Sequence, residues 1–275
     1  MKTILVTGSN GLLGQKLVYK LREQKDVKLI ATSRGEHRLI VKSGYTYAPL
    51  DISDKAQVEK VFSNYLPDVV INTAAMTNVD ACETKREECW SANVVAVQNM
   101  CDVLTELAIL NSQLIHISTD FVFDGMKGSP YDENDKPNPL HYYAQSKLEG
   151  EKIVMTSKFK WTILRTIIVY GVVDDNSRSN LVLWVKNNLE KKQKINVITD
   201  QFRAPTLSED LADACSSAAM RGAEGIYHVS GEETISIIDL AYQIADFWKL
   251  DKSYINPVSS AELNQPARRP PRTGF

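Results

Sequence analysis

The chain has 275 residues, a net charge of −2, 43% hydrophobic residues and 24% charged ones. That length permits a sizeable core in one large domain or two lobes, and a near-neutral balance without a basic run excludes a nucleic-acid surface. No apolar stretch approaches the roughly 20 residues that cross a bilayer, and the first residues already read as a strand, so neither a membrane partner nor a signal peptide is expected.

Lys2-Thr3-Ile4-Leu5-Val6-Thr7 is an apolar, β-branched run, the pattern of a buried strand. Gly8-Ser9-Asn10-Gly11-Leu12-Leu13-Gly14 follows, and then a helical pattern through Leu17, Val18 and Leu21. Glycines three apart between a strand and a helix make a dinucleotide-binding turn. Gly8 permits the tight turn, Gly11 lets backbone approach a pyrophosphate, and Gly14 lets the helix pack on the strand. The N–H groups at the start of the helix favour phosphate. The spacing is GxxGxxG rather than the GxGxxG of many dehydrogenases.

Val27 to Arg34 reads as the second strand. It ends in Ser33-Arg34, where NAD-binding folds usually place an acid for the ribose 2′-hydroxyl. An Arg can instead grip a 2′-phosphate and stack on adenine, which favours NADP(H) and leaves NAD(H) open; the alternative is a solvated Arg34. A third strand, Tyr45 to Leu50, leads to Asp51-Ile52. Asp51 suits the adenine amino group or the cap of a helix from about Lys55, a cap that Ser53 or Asp54 serves better. Val69-Val70-Ile71 is a fourth strand and runs into Asn72-Thr73-Ala74-Ala75, small residues that let backbone pass close to a ribose.

Leu114 to Asp120 is a fifth strand ending in the hydroxyls of Ser118 and Thr119. Ligands of open α/β sheets bind at strand carboxyl ends. Alternation turns neighbouring side chains to opposite faces, so only one of the two hydroxyls faces that end. A turn-rich loop from Gly125 to Pro139 leads to Tyr142-Tyr143-Ala144-Gln145-Ser146-Lys147. Tyr143 and Lys147 stack on one helical face. An ammonium beside a phenol favours the phenolate, and such a phenol exchanges protons with a carbonyl or alcohol oxygen.

Alternating strands and helices over residues 1–166 predict an α/β fold with a doubly wound parallel sheet, a Rossmann-type core. Residues 167–275 are expected to form mainly a smaller substrate lobe, with some segments returning to the sheet. Helices are predicted over 179–190, 211–220 and 237–248, and strands over 194–198 and 226–229. Arg203, Arg268 and Arg269 suit a substrate diphosphate or, equally, a solvated surface. Cys82, Cys89, Cys101 and Cys215 lack metal spacing and fit free thiols in a cytoplasmic protein. The four histidines stand apart from one another, which points to core or surface roles.

Together these strings resemble the extended short-chain dehydrogenase/reductase family. The residues that carry the resemblance are Thr7 to Gly14, Asn72-Thr73-Ala74-Ala75-Met76-Thr77-Asn78-Val79-Asp80, Ser118-Thr119-Asp120-Phe121-Val122-Phe123-Asp124-Gly125, Tyr143 to Gly150, Leu164-Arg165-Thr166, Val169-Tyr170-Gly171 and Ala204-Pro205-Thr206. The Ser-Thr-Asp-x-Val-Phe-Asp-Gly string is similar to the branch that reduces the 4-keto group of a nucleotide-linked 6-deoxy sugar, the last step of activated L-rhamnose synthesis. The resemblance implies Thr119 as a hydroxyl partner, Tyr143 as general acid and Lys147 as its electrostatic partner and nicotinamide-ribose ligand. It implies Asn93 as a helical support for the central strand, and a sugar bordered by Ser118, Asp120, Phe121, Ile168, Arg203 and Arg268. Phe121 replaces a usual Tyr and Ile168 a usual Trp, which leaves the sugar's identity open. Some relatives hold a metal through a glutamate after the glycine turn; Gln15 and Lys16 stand there, so no metal is expected. Relatives usually continue past Phe275 with a short helix. The oligomeric state is open, with a homodimer allowed. Sugar epimerases and dehydratases, which recycle their hydride, share the pattern, as does the non-catalytic regulatory subunit of methionine adenosyltransferase.

Overall fold

The computed structural model describes residues 1–109, 111–175 and 179–275. The first half supplies β1 (Lys2–Thr7), α1 (Leu12–Leu21), β2 (Val27–Ser33), β3 (Thr46–Pro49), α2 (Lys55–Tyr65), β4 (Val69–Asn72), α3 (Val79–Thr84), α4 (Arg86–Trp90), α5 (Ala96–Glu106), β5 (Gln113–Thr119), α6 (Tyr142–Met155) and β6 (Lys160–Thr166). The second half supplies β7 (Val169–Tyr170), α7 (Leu181–Glu190), β8 (Ile195–Ile198), β9 (Phe202–Arg203), β10 (Thr206–Leu207), α8 (Ser208–Arg221), β11 (Gly225–Val229), β12 (Ile235–Ser236), α9 (Ile237–Phe247), β13 (Ile255–Val258) and α10 (Ser260–Leu263).

Seven of these strands form one parallel sheet in the order β3-β2-β1-β4-β5-β6-β11. Strand β1 is interior, with Leu5 beside Ile30 on one side and Val70 on the other. Successive side chains therefore enter different helical layers. Ile4 and Val6 join Leu17, Val18, Leu21, Leu211 and Cys215 from α1 and α8. Leu5 and Ile30 join Val58, Phe62, Met100 and Leu104 from α2 and α5. Burying each such side chain stabilises the fold by about 1.5–3 kcal/mol. The strand order turns back between β1 and β4, and the crevice outside their carboxyl ends is the binding position of such a sheet.

Second-half segments are shared between two regions. α7, β8, α9 and β13 enclose their own core of Val185, Leu189, Ile195, Val197, Ile238 and Ile244. α8 instead covers α1, and β11 extends the main sheet beside β6. Several boundaries differ from the sequence expectation for local reasons. β5 ends at Thr119, not Asp120, because the Thr119 side chain accepts from Phe121 N and opens a 3-10 turn over Asp120–Val122. α7 starts at Leu181 because Asn180 caps it through Leu183 N. Among the described residues no helix is long and apolar enough to cross a membrane.

Candidate active site

The glycine turn joins β1 to α1 at the crevice. Gly8 has φ +67°, and a Cβ there would stand 2.8 Å from Ala74 N. A Cβ on Gly14 would lie 2.2 Å from Gly8 O and 2.7 Å from Ser9 Cα, so this glycine lets the helix close on the turn itself rather than on the strand expected from sequence. Gly11 is the N-cap of α1 and offers no side-chain acceptor, which leaves the N–H groups of Leu12, Leu13 and Gly14 without intrahelical partners. The Ser9 hydroxyl is buried and has no hydrogen-bond partner. A turn that excludes side chains, with open N–H groups and an orphaned hydroxyl, fits a dinucleotide pyrophosphate.

The other expected cofactor residues surround this turn. Asn10 donates from Nδ2 to Glu36 O at 2.8 Å and accepts from Arg38 N at 3.0 Å, so its side chain ties the turn to the loop after β2. Leu13 belongs to the core. Ser33 Oγ is 2.9 Å from Tyr47 Oη and serves the sheet edge. Arg34 extends into solvent with its side chain 78% exposed, and its nearest carboxylate, Asp51, is 3.9 Å away. Asp51 Oδ1 accepts from Ser53 N and Oγ, while Asp54 caps α2. Ile52 is core. Thr73 Oγ1 donates to Thr7 O at 2.6 Å and holds Ala74 and Ala75 at the end of β4.

Of the three expected catalytic side chains, Thr119 and Tyr143 lie at the neighbouring strand end, and Lys147 lies against the middle of that strand. Thr119 closes β5, and α6 brings the Tyr143 phenol near its hydroxyl, which itself donates to Asp120. Burial pushes the Tyr143 phenol up, and Asp120 adds to this, while the nearby Thr119 hydroxyl pulls the other way. The lowering by Lys147 expected from spacing does not govern the phenol. Lys147 Nζ instead lies 3.2 Å from His116 Nε2, and His116 Nδ1 lies 3.1 Å from Asn72 Nδ2. Burial brings Lys147 down to about 8 against the opposing pull of Glu151. Burial, with Lys147 beside it, holds His116 well below its ordinary range, so the imidazole is neutral.

Asn93 lies in a π turn, Ser91–Val95, between α4 and α5. Its Oδ1 accepts from Met76 N at 2.8 Å, and its Nδ2 donates to Met76 O and to Ser146 Oγ, both at 3.0 Å. It thus holds the loop after β4 to the Tyr-Lys helix. A Cβ on Gly150 would lie 2.8 Å from Asn93 O, so that glycine lets α6 approach this turn.

Two expected substrate residues are engaged elsewhere. Ser118 points to the opposite side from Thr119 and donates to Glu151 Oε1 at 2.5 Å, inside a buried pair with Arg165. Arg203 is 1% exposed; its Nη2 donates to Pro270 O at 2.6 Å and its Nη1 to Phe202 O at 2.7 Å, so it clamps the C-terminal segment instead of meeting a diphosphate. Arg269 forks onto Asp80 at 2.7–2.9 Å, whereas Arg268 is exposed. Asp120 lies under Thr119, accepting from Thr119 Oγ1 at 3.0 Å and from Thr273 Oγ1. Burial holds its carboxyl above the ordinary range against Arg203. Phe121 meets the Tyr143 ring edge-on at 6.5 Å. Ile168 has φ +31°, rare for a β-branched residue, and packs against the second core. Glu151, His116, Asn72 and Ser9 are site neighbours that the sequence reading did not single out.

The pattern of the RmlD substrate binding domain matches residues 1–274. The chain belongs to that family. RmlD-family relatives include the dTDP-4-dehydrorhamnose reductase of Aggregatibacter actinomycetemcomitans, 33% identical over 98% of this chain and 89% of the relative. The methionine adenosyltransferase 2 subunit beta of Danio rerio is 31% identical over 98% of this chain and 81% of its own. A solved dTDP-4-dehydrorhamnose reductase of Bacillus anthracis in complex with NADP superposes with a TM-score of 0.85 at 29% identity, covering 100% of this chain and 90% of that one. The expected place in the extended short-chain dehydrogenase/reductase family therefore holds, and with it NAD(P)-dependent oxidoreductase chemistry.

Proposed function

We propose that this RmlD-family chain is an NADP(H)-dependent reductase of the 4-keto group of a nucleotide-linked deoxy sugar, and specifically a dTDP-4-dehydrorhamnose reductase. The observation that carries the proposal is the buried Tyr143 and Lys147 one turn apart on α6, with the phenol near the Thr119 end of β5, together with a glycine turn that excludes side chains. A bound reduced nicotinamide supplies a hydride to the sugar carbonyl carbon. Tyr143 gives its phenolic proton to the resulting alkoxide, breaking its own O–H bond as the sugar O–H forms. The Lys147 ammonium stabilises the phenolate left behind. Thr119 must release Asp120 to donate to the same oxygen, since its hydroxyl donates to that carboxylate. The reaction is tested by supplying a panel of nucleotide-linked 4-keto sugars with NADPH and following absorbance of the reduced nicotinamide. An epimerase or dehydratase recycles its hydride and consumes none.

Two expected results follow from individual groups. Lys147 is protonated below about 8 and loses its charge above it. Tyr143 is pushed upward and stays protonated there. For reduction, log(kcat/KM) should therefore be level below pH 8 and fall with a slope of −1 above it. A profile level to pH 10 would assign the charge no part in the reaction. At Arg34, charge-assisted hydrogen bonds to a 2′-phosphate are worth about 1.5–3 kcal/mol. Arg34→Ala should raise the KM for NADPH roughly 10- to 150-fold on that basis and leave the KM for NADH nearly unchanged. Equal loss with both cofactors would contradict the NADP(H) preference.

The similarity to methionine adenosyltransferase 2 subunit beta supports a second reading, a regulatory subunit. Capture of a methionine adenosyltransferase, together with no turnover of any sugar nucleotide, would favour it.

A further inference from the structure

Among the described residues, three buried side-chain polar atoms have no hydrogen-bond partner: Ser9 Oγ, Arg22 Nε and His141 Nε2. Ser9 lies in the glycine turn. Arg22 flanks α1 and pairs through another nitrogen with Glu23 at the surface. His141 has no part in the chemistry described above, yet it stands against the catalytic phenol. Its ring is stacked on Tyr143 with centroids 6.0 Å apart and planes 10° from parallel, and it meets Phe121 edge-on at 5.1 Å. The residue is 3% exposed.

His141 also caps α6. Its Nδ1 accepts from Ala144 N at 3.2 Å, a position that Ser, Thr, Asp or Asn ordinarily fills. That bond settles the tautomer, because a nitrogen that accepts carries no hydrogen and the hydrogen of the neutral ring then sits on Nε2. Burial, with Arg269 the next influence, holds the ring down to about 4, so it is neutral at physiological pH. The two nearby carboxylates are already engaged, Asp80 by Arg269 and Glu83 by Tyr142 N and Arg86. A fixed donor is therefore buried beside the reacting group with no acceptor, against the rule that buried polar groups are paired.

We propose that His141 Nε2–H is a substrate-binding donor that takes a hydroxyl oxygen of the same sugar ring whose keto oxygen faces Tyr143. This rests on the reductase reading and adds a specificity determinant to it. A neutral donor suits a hydroxyl, whereas a diphosphate calls for the guanidinium groups found elsewhere. A sugar without that hydroxyl leaves the N–H buried and unpaired, which is how a polar site rejects a deoxy analogue.

The test uses the full chain. His141→Ser keeps an oxygen to cap Ala144 N and removes the donor; His141→Asn keeps the cap with a shorter amide. KM and kcat for the 4-keto sugar nucleotide at saturating NADPH, the Kd for NADPH and the melting temperature are measured for each. The KM of His141→Ser should rise about tenfold, the worth of one hydrogen bond, with NADPH affinity unchanged. Among substrate analogues lacking one sugar hydroxyl at a time, one should lose about tenfold with the unmodified protein and nothing further with His141→Ser. A merely structural role would not produce that dependence on a single hydroxyl. The proposal is overturned if no deoxy analogue is penalised by the unmodified protein, a measurement that stands even where a variant fails to fold. It is also overturned if every analogue is penalised alike in protein and variant, or if KM is unchanged in both variants. Absence of turnover by the unmodified protein overturns the reductase reading and this proposal with it.

Discussion

Tyr143→Phe is expected to lower kcat for reduction about 10²–10⁴-fold, the usual worth of general acid catalysis, while the Kd for NADPH stays within about twofold of the unmodified protein's. The ring that packs with Cys82 and Cys89 is kept, so the fold loses nothing but one hydroxyl. That hydroxyl has no acidic role in stability: the phenol is pushed up by burial and by Asp120, and it stays neutral in folded and unfolded chain alike at pH 7. The loss should therefore appear in kcat and kcat/KM together, the signature of an interaction made in the transition state. Rapid-mixing measurements of reduced-nicotinamide oxidation, with the melting temperature as control, separate this from misfolding. Undiminished turnover would remove Tyr143 from the mechanism.

Glu151→Ala should lower stability by about 3–5 kcal/mol, the cost of leaving a buried charge without its partner. Arg165 and Glu151 have side chains 2% and 0% exposed, joined by two bonds of 3.0 and 2.7 Å. Ser118 adds a third bond to the carboxylate, and the guanidinium lies over Phe123 at 5.1 Å. At roughly 2–4 °C per kcal/mol for a chain of this size, the melting temperature should fall about 10 °C. The double change Glu151→Leu with Arg165→Met removes both charges and should cost far less than the single change. Glu151 also acts at a distance on the site, since its charge raises Lys147. In Glu151→Gln the alkaline limb of the rate profile should move to lower pH. A double variant as unstable as Glu151→Ala would refute the view that the loss comes from an uncompensated charge.

The sheet and its crevice were legible because they rest on local signals. β-branched runs mark β1, β2, β4 and β5, and glycine spacing marks the turn whose closeness the Cβ contacts measure. Tyr143 and Lys147 were legible because one helical face is a property of spacing. Glu151 lies four residues beyond Lys147 on that face, but its burial depends on Arg165 from β6, which helical spacing does not show. Other groups carried no local signal. His116 meets Lys147 across 31 residues and Asn72 across 44, so its role is a product of strand order. Alternation alone leaves Ser118 and Thr119 open; the resemblance points to Thr119, and the Ser118 bond to Glu151 is a product of how α6 packs. Arg203 looked like a phosphate ligand because Arg chemistry is the same in a clamp as in a binding site; the carbonyls that hold it come from Pro270 and Pro271, 67 and 68 residues away.

In the proposed reaction Thr119, Tyr143 and Lys147 serve reduction of a sugar carbonyl at the expense of NADPH. The most direct measurement adds dTDP-4-dehydrorhamnose and NADPH to the purified chain and follows absorbance of the reduced nicotinamide alongside the sugar product. The account predicts one NADPH consumed per sugar reduced, with the rate lost in Tyr143→Phe. No consumption across the 4-keto sugar panel, or product formed with NADPH unchanged, would contradict it.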